Sequence, residues 1–334
     1  MKTYKIGVAA LGFAGMAQIE AFQKNPRTRV TAAWSRDADK TARVCSQWAI
    51  EKPCESYEQL LDSGIDVAVI CTPDHLHTEY CLQALGAGIN VLCEKPLVTA
   101  LDDAKRVVAA AKASGKVFMT GQCARFFPRS LFAKGLVERG ELGDIFFAEG
   151  DYIHDAEAFF RDWRVDPERP QNMVLGGGCH PLDLLRSLLG DIVEVHANAN
   201  RMCVAPENPI REDCILLSLR FASGAIGKTL ITIACKRPYS LGLSLYGTAG
   251  TLVDEKLFLP RYTGLQDFMA VPLAPHVHEG NNIFDEQAAH LVECLDTGRQ
   301  PVADAVEGAK TVATCLAGIE SLRTGQPVAV CNDF

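Results

Sequence analysis

The sequence predicts two domains: an α/β domain with a doubly wound parallel sheet, followed by an α+β domain with an antiparallel sheet. The 334 residues are about twice the length of a typical domain of ~150 residues. Up to Gly121, continuous apolar strand patterns alternate with helical patterns, as in a parallel sheet covered on both faces. After Gly121, alternating strand patterns follow one another, which is typical of antiparallel pairing.

The first domain, expected to span residues 1–121, begins with a strand, a glycine-rich turn and a helix, and then repeats this unit. Asp37 is placed to cap the second helix, and Gly88 and Gly115 to end the last two. The expected strands are 4–11, 29–34, 66–71, 90–93 and 117–120, and the expected helices are 16–24, 37–49, 77–87 and 101–113.

The second domain, expected to span residues 122–334, opens with a helix and a long loop-rich stretch. The Ala222-Ser223-Gly224 turn predicts a hairpin between two strands. Since no long linker separates the domains, a cleft between them is the expected ligand site. The expected strands are 193–200, 214–221, 226–234 and 241–246, and the expected helices are 129–139, 182–189, 285–295 and 306–324.

Composition and charge favour a globular enzyme that acts on small molecules. With 48% hydrophobic and 22% charged residues, disordered and collagen-like chains are excluded. The formal net charge of -8 offers no basic excess for a nucleic-acid backbone. The 13 cysteines form no C-x-x-C pair, which favours reduced thiols in the cytoplasm. The apolar run 6–17 could belong to a signal peptide, but a nucleotide-binding motif explains it better, and a membrane span needs ~20 apolar residues.

That motif is Ala10-Leu11-Gly12-Phe13-Ala14-Gly15, which follows a strand and opens a helix. Gly12 lets the backbone approach a pyrophosphate, Gly15 allows close packing of helix on strand, and the helix N-terminus offers free N–H groups. The first glycine of the usual pattern is Ala10 here. We expect Gly12, Phe13 and Ala14 to contact a dinucleotide; the alternative is a merely tight turn.

The second strand ends at the position that selects between nicotinamide cofactors. Twenty residues past Gly15, where an NAD enzyme places a carboxylate on the adenosine ribose, stands Ser35, followed by Arg36. No carboxylate repels a 2′-phosphate there, and Arg36 can pair with one, so NADP is favoured over NAD. The alternative is an ordinary solvated arginine at a strand end.

Two further motifs follow strands at the same edge of the sheet, where ligands bind in open α/β folds. Thr72, Pro73, His75 and His77 are expected to contact the cofactor; capping of the next helix or, less favoured, a metal site is the alternative for the two histidines. Glu94-Lys95-Pro96 ends the next strand. A lysine beside a nicotinamide suits proton exchange with a substrate alcohol.

Several motifs occur together in an order that resembles one family, the Gfo/Idh/MocA oxidoreductases, relatives of glucose-fructose oxidoreductase and inositol dehydrogenase. The resemblance spans nearly the whole chain. It implies an N-terminal Rossmann domain, a C-terminal domain with an open, mostly antiparallel sheet, and hydride exchange between a nicotinamide and a sugar or polyol carbon. It also implies a homodimer or homotetramer formed through the second sheet. The motifs are Gly12 with Gly15, the T-P-x-H-x-H run 72–77, Glu94-Lys95-Pro96, Asp162-Trp163-Arg164, Gly178-Cys179-His180-x-x-Asp183 and the run 247–251.

Carried over residue by residue, the resemblance makes Lys95 the catalytic lysine and His180 the general acid/base at the substrate hydroxyl. Glu94 would lie near the nicotinamide. In the oxidising direction His180, together with Lys95, would accept the hydroxyl proton while hydride leaves the same carbon.

The resemblance also supplies expected substrate contacts. Asp183 would bind the substrate or support a group that does, and Trp163 and Arg164 would approach cofactor or substrate from the second domain. Arg125 could contact an acidic or hydroxylated substrate; a structural ion pair is the alternative for it.

One departure from the family pattern lies beside His180. Many members have Asp-x-Gly-x-His there, but Gly176 stands where the aspartate would be. Three consecutive glycines before His180 instead indicate a backbone that approaches a ligand closely. A nucleophilic Cys179 is disfavoured because neighbouring side chains rarely face one another. His276 and His278 are expected to be solvated; metal ligation or substrate contact is the alternative for them.

The sequence therefore favours a cytoplasmic, NADP-preferring sugar or polyol dehydrogenase. One alternative is an enzyme that retains its cofactor for an elimination or glycoside cleavage without net redox change. Another is a catalytically weak nucleotide-binding sensor, which only the missing carboxylate at Gly176 favours.

Overall fold

A computed structural model describes residues 2–155, 162–166, 171–205, 208, 210–262, 266–273 and 283–334. Contacts between residues divide the chain into two compact units. The first unit comprises Met1–Cys123, His276–Ala309 and Phe334, and the second comprises Ala124–Pro275 and Lys310–Asp333. The predicted domain boundary after Gly121 stays a prediction, because a division by contacts does not show which segments fold independently.

The first unit is built on a six-stranded sheet with the order β3-β2-β1-β4-β5-β6, in which every pairing is parallel. This is the doubly wound order of a Rossmann domain, and it confirms the predicted fold class. The strands are β1 Tyr4–Ala9, β2 Thr28–Trp34, β3 Lys52–Cys54, β4 Val67–Ile70, β5 Asn90–Glu94 and β6 Phe118–Gly121. The helices are α1 Phe13–Lys24, α2 Ala38–Gln47, α3 Tyr57–Leu61, α4 His77–Gly86 and α5 Leu101–Ser114.

Local sequence explains these elements. All four residues of β4 are fully buried, as in a strand covered on both faces. Asp37 caps α2 by accepting a hydrogen bond from the Lys40 backbone at 2.9 Å, as expected. Gly115 ends α5 with φ of 61°, a left-handed conformation that favours glycine. The short elements β3 and α3 were not predicted, because three to five residues carry little periodicity.

The second unit is built on a nine-stranded sheet with the order β14-β13-β12-β11-β7-β10-β9-β8-β15. Every pairing is antiparallel except that of β7 with β10, which confirms the mostly antiparallel sheet. The strands are β7 Ile145–Ile153, β8 Ile192–Asn200, β9 Cys214–Phe221, β10 Ile226–Thr232, β11 Ser240–Gly247, β12 Thr251–Val253, β13 Lys256–Phe258, β14 Met269–Ala270 and β15 Val328–Ala329.

Four further helices complete the described chain: α6 Pro128–Glu138, α7 Cys179–Leu189, α8 Asp285–Thr297 and α9 Ala305–Thr324. Helix α8 belongs to the first unit. A π-helical turn, Val174–Gly178, leads directly into α7. The hairpin predicted at Ala222-Ser223-Gly224 joins β9 to β10, with Gly224 at φ of 91°.

The expectation of a loop-rich stretch between the first two helices of the second unit is wrong for residues 145–153. They form β7, which pairs with β11 on one side and β10 on the other. Its sequence hides the strand because Gly150 interrupts the pattern. That glycine is required: a Cβ there would lie 3.0 Å from Leu185 and 3.2 Å from Pro181, both on α7.

All thirteen cysteines are free thiols, and most of them are buried. Burial raises the pKa of Cys71 and Cys93 well above the usual value, so these thiols stay protonated at neutral pH. Within the ranges given above, no helix is long and apolar enough to cross a membrane.

Candidate active site

A cavity of about 250 Å³ opens at the carboxyl edge of the first sheet. Five predicted cofactor residues line it: Gly12, Ser35, Arg36, Thr72 and Pro73. They come from the loops that follow β1, β2 and β4, which are adjacent in the sheet. The sequence interpretation missed the other lining residues, which are Ala10, Leu11, Trp34, Asp37, Lys40, Leu76 and Tyr80.

The cavity presents two cations beside Ser35. Arg36 is exposed, and Lys40 is half-buried. Arg36 lies near Tyr80: burial raises the pKa of that phenol, and the guanidinium opposes the rise. The Ser35 hydroxyl lies 2.8 Å from Oγ1 of Thr41 and donates to the Asp37 carbonyl at 2.9 Å.

Three aromatic rings form the wall behind these polar groups. Trp34, Tyr57 and Tyr80 pack with ring centroids 4.6 to 5.8 Å apart. Trp34 and Tyr80 line the cavity, so a flat heterocyclic base has apolar ring surface to contact.

The remaining fingerprint residues lie at the start of α1. Gly12 is the N-cap of this helix, and a Cβ at Gly12 would meet no atom within 4 Å. Phe13 is 83% exposed and Ala14 half-buried. The open space at Gly12 and the free N–H groups of the first turn fit the pyrophosphate of a dinucleotide.

His77 is not available to a cofactor, which corrects the expectation for this residue. Its side chain is 1% exposed. Nδ1 lies 2.8 Å from the Pro96 carbonyl and Nε2 2.9 Å from the Thr72 carbonyl, and burial lowers the pKa of the ring. His77 thus ties the loop after β4 to the loop after β5. His75 is exposed, with Nδ1 3.8 Å from Oδ1 of Asp74.

Lys95 follows β5 with its side chain half-buried, and the Lys95–Pro96 peptide is cis. The neighbouring Glu94 carboxylate is 7% exposed. Its Oε1 accepts from Nε2 of Gln18 at 2.9 Å, and its Oε2 from the Lys95 backbone at 3.3 Å. Burial raises the pKa of Glu94, while Gln18 and Lys95 oppose the rise. Burial of Glu94 therefore disfavours its ionised form, and the hydrogen bond from Gln18 and the charge of Lys95 favour that form.

Gln18 and Gln287 are buried polar residues that the sequence interpretation missed. Nε2 of Gln18 also donates to Oε1 of Gln287 at 3.0 Å, and both side chains are fully buried. The two glutamines hold the Glu94 carboxylate from inside the first unit.

In the second unit, His180 lies in the first turn of α7 and is half-buried. The Tyr152 ring stacks on the His180 ring, with centroids 6.0 Å apart and planes at 14°. The Tyr152 hydroxyl lies 3.0 Å from Nε2 of His154. The Tyr239 ring meets Tyr152 and His154 edge-on at 5.7 and 5.1 Å. Tyr152 and His154 were missed because β7 was missed.

At each glycine of the run before His180, a larger residue would clash with a side chain from another part of the chain. A Cβ at Gly176 would lie 2.9 Å from the Gln171 side chain, and one at Gly177 would lie 2.7 Å from the Tyr152 ring. A Cβ at Gly178 would overlap the Ile231 side chain. The glycines therefore make room for side chains from other elements.

Arg125 and Asp183 bind each other. Nε of Arg125 donates to Oδ2 of Asp183 at 2.6 Å and Nη2 to Oδ1 at 2.8 Å. The Thr311 hydroxyl also donates to Oδ1 at 2.8 Å. Asp183 is fully buried. A bidentate, buried pair of this kind is structural, which was the alternative for Arg125.

Trp163 and Arg164 lie in the short helix Asp162–Val165. The guanidinium of Arg164 is 4.5 Å from the Trp163 ring centroid, a cation–π contact that holds the two together. Cys179 is buried, in agreement with the low weight given to a nucleophilic thiol. His276 and His278 lie outside the described residues. Among the described residues, no group of three or more His, Cys, Asp or Glu side chains is placed to hold a metal ion.

Comparisons with known proteins match both units. A family model described as "Oxidoreductase family, NAD-binding Rossmann fold" matches residues 4–122, and one described as "GFO/IDH/MocA C-terminal domain" matches residues 131–253. The 1,5-anhydro-D-fructose reductase of Ensifer adhaerens is 27% identical over 310 residues, covering 90% of this chain and 91% of that protein. The scyllo-inositol 2-dehydrogenase (NAD(+)) of Bacillus subtilis is 26% identical over 304 residues, covering 86% and 85%.

Solved structures share the fold of the whole chain. A levoglucosan dehydrogenase in complex with NADH superposes with a TM-score of 0.87 at 22% identity, covering 99% of this chain and 100% of that one. An oxidoreductase from Agrobacterium radiobacter in complex with NAD+, L-tartaric acid and magnesium gives a TM-score of 0.88, also at 22% identity, covering 98% of each chain.

Proposed function

This chain belongs to the Gfo/Idh/MocA family of NAD(P)-dependent oxidoreductases, and we propose that it transfers a hydride between NADP and a hydroxyl-bearing carbon of a sugar, inositol or related polyol. The observation that carries the proposal is the edge of the first sheet. There the cavity lined by Gly12, Ser35 and Arg36 follows strands β1 and β2, and Lys95 with the buried Glu94 follows β5.

The residues that would hold the cofactor fit a dinucleotide. The open space at Gly12 and the first turn of α1 suit the pyrophosphate, and Trp34 and Tyr80 offer a wall for the adenine. When bound, the nicotinamide would accept or supply the hydride. Lys95 and His180 would exchange the proton of the substrate hydroxyl, because imidazole titrates near neutral pH and a lysine held at the reacting carbon can serve as acid or base.

Preference for NADP is supported by the charges around Ser35. Arg36 and Lys40 both line the cavity, and two cations beside a hydroxyl fit a 2′-phosphate. Asp37, the nearby carboxylate, accepts a hydrogen bond from the Lys40 backbone as the cap of α2. It therefore serves the helix rather than a ribose.

We expect Arg36→Ala and Lys40→Ala each to weaken NADP binding at least about tenfold and NAD binding much less, because each removes one charge-assisted contact to the phosphate. Calorimetric titration with NADPH, NADP, NADH and NAD measures this. Arg43→Ala, on α2 but outside the cavity lining, is the matched control. Equal losses for both cofactors would contradict the role of these cations.

A carbohydrate or polyol substrate is supported by the rings around His180. Tyr152 and Tyr239 offer aromatic surface for the C–H face of a sugar, and the Tyr152 hydroxyl and His154 offer hydrogen-bonding groups. The names of the relatives, which are enzymes of anhydro sugars and inositols, point to the same class.

Turnover of free cofactor tests the proposed reaction. Levoglucosan and scyllo-inositol with NADP, and 1,5-anhydro-D-fructose with NADPH, form the panel, followed by absorbance of the reduced nicotinamide. Steady turnover of one compound supports a dehydrogenase. Cofactor binding without net turnover of any compound would contradict it and favour an enzyme that retains its cofactor or a sensor, which product analysis separates.

The same proposal includes a homo-oligomer formed through one face of the second sheet. Leu216 and Ile226 are exposed on that face, and the family resemblance supports a contact through this sheet. The proposed interaction partners are therefore a small sugar or polyol substrate and further copies of this chain.

A further inference from the structure

The side chain of Gln171 occupies the space that a side chain at position 176 would fill. A Cβ atom on Gly176 would lie 2.9 Å from Cδ, 3.0 Å from Oε1 and 3.2 Å from Nε2 of Gln171. All three separations are shorter than ordinary van der Waals contact, so the carboxamide lies directly on the Gly176 backbone. The glycine is what allows it to lie there.

Gly176 and His180 share the accessible side of their helix. Of residues 173–180, all of them described, these two alone are not buried. They are four residues apart, about one helical turn, which places positions 176 and 180 on the same side. The Gln171 carboxamide therefore lies on the side of the helix that presents His180.

The three side chains that fill the glycine run differ in chemistry. Ile231 is fully buried and packs in the core. Tyr152 and Gln171 are half-buried and polar, and Tyr152 stacks on His180. The backbone N–H of Gln171 donates to the Arg164 carbonyl at 2.9 Å, which fixes the start of the Gln171 side chain beside the short helix 162–165. A polar, accessible group is thus held beside His180 from outside the helix.

Building on the function proposed above, we propose that Gln171 binds a substrate hydroxyl adjacent to the one whose proton His180 exchanges. A carboxamide donates through Nε2 and accepts through Oε1, and two neighbouring hydroxyls of a polyol offer both complements. The family resemblance places a carboxylate at position 176. Here a neutral amide stands in that space, so the group beside His180 carries no charge at any working pH.

Two variants remove the carboxamide from this position in different ways. Gln171→Met keeps the bulk over Gly176 and removes the amide, whereas Gly176→Ala keeps the amide and displaces it. Each is expected to raise KM about tenfold for whichever of levoglucosan, scyllo-inositol and 1,5-anhydro-D-fructose is turned over best, with kcat changed less. The double variant is expected to be no worse than either single variant, since both remove the same contact.

Gly135→Ala is the matched control, because a Cβ there would lie 2.9 Å from Nη1 of Arg139 and displace a flexible side chain in the same way, on α6. NADPH affinity and the thermal midpoint are expected to stay close to wild type in all variants. A wild-type KM in Gln171→Met would overturn the inference while the proposed function stands. A wild-type protein that turns over none of the three compounds would overturn the proposed function, and the inference with it.

Discussion

Glu94 is held by Gln18, which is itself held by Gln287, and the three residues come from distant parts of the chain. Gln18 lies 76 residues away and donates to Oε1 of Glu94, and it also donates to Gln287, 269 residues away from it. Burial raises the pKa of Glu94, and the hydrogen bond from Gln18 opposes the rise. A carboxyl group with a raised folded-state pKa stabilises the fold below its unfolded pKa, and this contribution is lost as pH rises through the folded value.

Gln18→Met removes the donor that supports the ionised carboxylate and so raises the pKa of Glu94 further. Stability of the variant should therefore fall more steeply than that of wild type as pH rises. We expect the loss to be smaller at pH 5 than at pH 9, because a hydrogen bond to a neutral acid contributes about 1 kcal/mol and one to a carboxylate about 1.5–3 kcal/mol. Urea unfolding at the two pH values measures the difference.

Gln287→Met is the matched control for this prediction. Oε1 of Gln287 accepts from Gln18 rather than touching the carboxylate, and among the described residues its Nε2 has no hydrogen-bond partner. The loss of stability caused by Gln287→Met should be nearly the same at both pH values. A Gln18→Met loss that is independent of pH would contradict the idea that Gln18 supports the charged form of Glu94.

At this scale, sequence reasoning finds residues that lie in contiguous motifs and misses those defined by distant partners. Gly12, Arg36 and Lys95 are recognisable because a glycine turn or a strand end is local. The ion pair of Asp183 could not be predicted from a local motif, because its partner Arg125 is 58 residues away. The position of Gln171 could not be predicted from the residues around it in sequence, because its side chain occupies space that is open only since residue 176 is glycine.

At the scale of an element, the turn between β1 and α1 contains two glycines with different roles: Gly15 allows close packing, and Gly12 leaves open space. A Cβ at Gly15 would overlap the carbonyl oxygen of Ala10, whereas a Cβ at Gly12 would meet nothing within 4 Å. Ala10 itself has φ of 71°, a conformation that costs a non-glycine residue about 1 kcal/mol. The turn is therefore tightly packed where Gly15 meets Ala10 and open at Gly12, which is called its tip below.

Gly15→Ala should lower the thermal midpoint of the cofactor-free protein by several degrees, because helix and strand must move apart. Gly12→Ala should leave that midpoint unchanged and weaken NADPH binding at least about tenfold, since a methyl group would occupy the space of the pyrophosphate. Thermal unfolding and calorimetry on both variants test this. Unchanged NADPH affinity in Gly12→Ala would show that the open tip does not hold the dinucleotide.

Elements with a regular pattern of apolar residues could be predicted from the sequence. Elements whose residues are determined by contacts with distant parts of the chain could not. The strands of the first sheet are recognisable because burial on both faces makes them continuously apolar. β7 carries Gly150 and a mixture of polar and apolar residues, since one of its sides packs against α7 and the other holds charged pairs with Lys228. The π-helical turn before α7 is likewise a tertiary effect, because its glycines admit Gln171, Tyr152 and Ile231.

At the scale of the whole molecule, the second sheet has one covered face and one outer face that carries exposed apolar residues. Leu217 packs near Gly318 of α9, and Ile231 against Gly178. On the other side, register pairs Leu216 with Leu230, Ile226 with Phe147, and Phe147 with Tyr246. These five residues define the outer face. Leu216 is 41% and Ile226 55% exposed. Lys228 lies on the same face between Ile226 and Leu230 and is paired with Glu149, so exposed apolar side chains surround a charged pair, as in a mixed interaction surface.

We expect the protein to associate through the outer face, because symmetric pairing of one patch with itself is the commonest arrangement of homo-oligomers. Leu216→Lys with Ile226→Lys should convert the assembly to a monomer at micromolar concentration, since a lysine at each position would bury an unpaired charge in the interface. Light scattering measures the mass. Leu131→Lys, on α6 and 48% exposed, is the control and should leave the assembly intact. A wild-type monomer, or an assembly that survives the double lysine variant, would show that the outer face does not serve self-association.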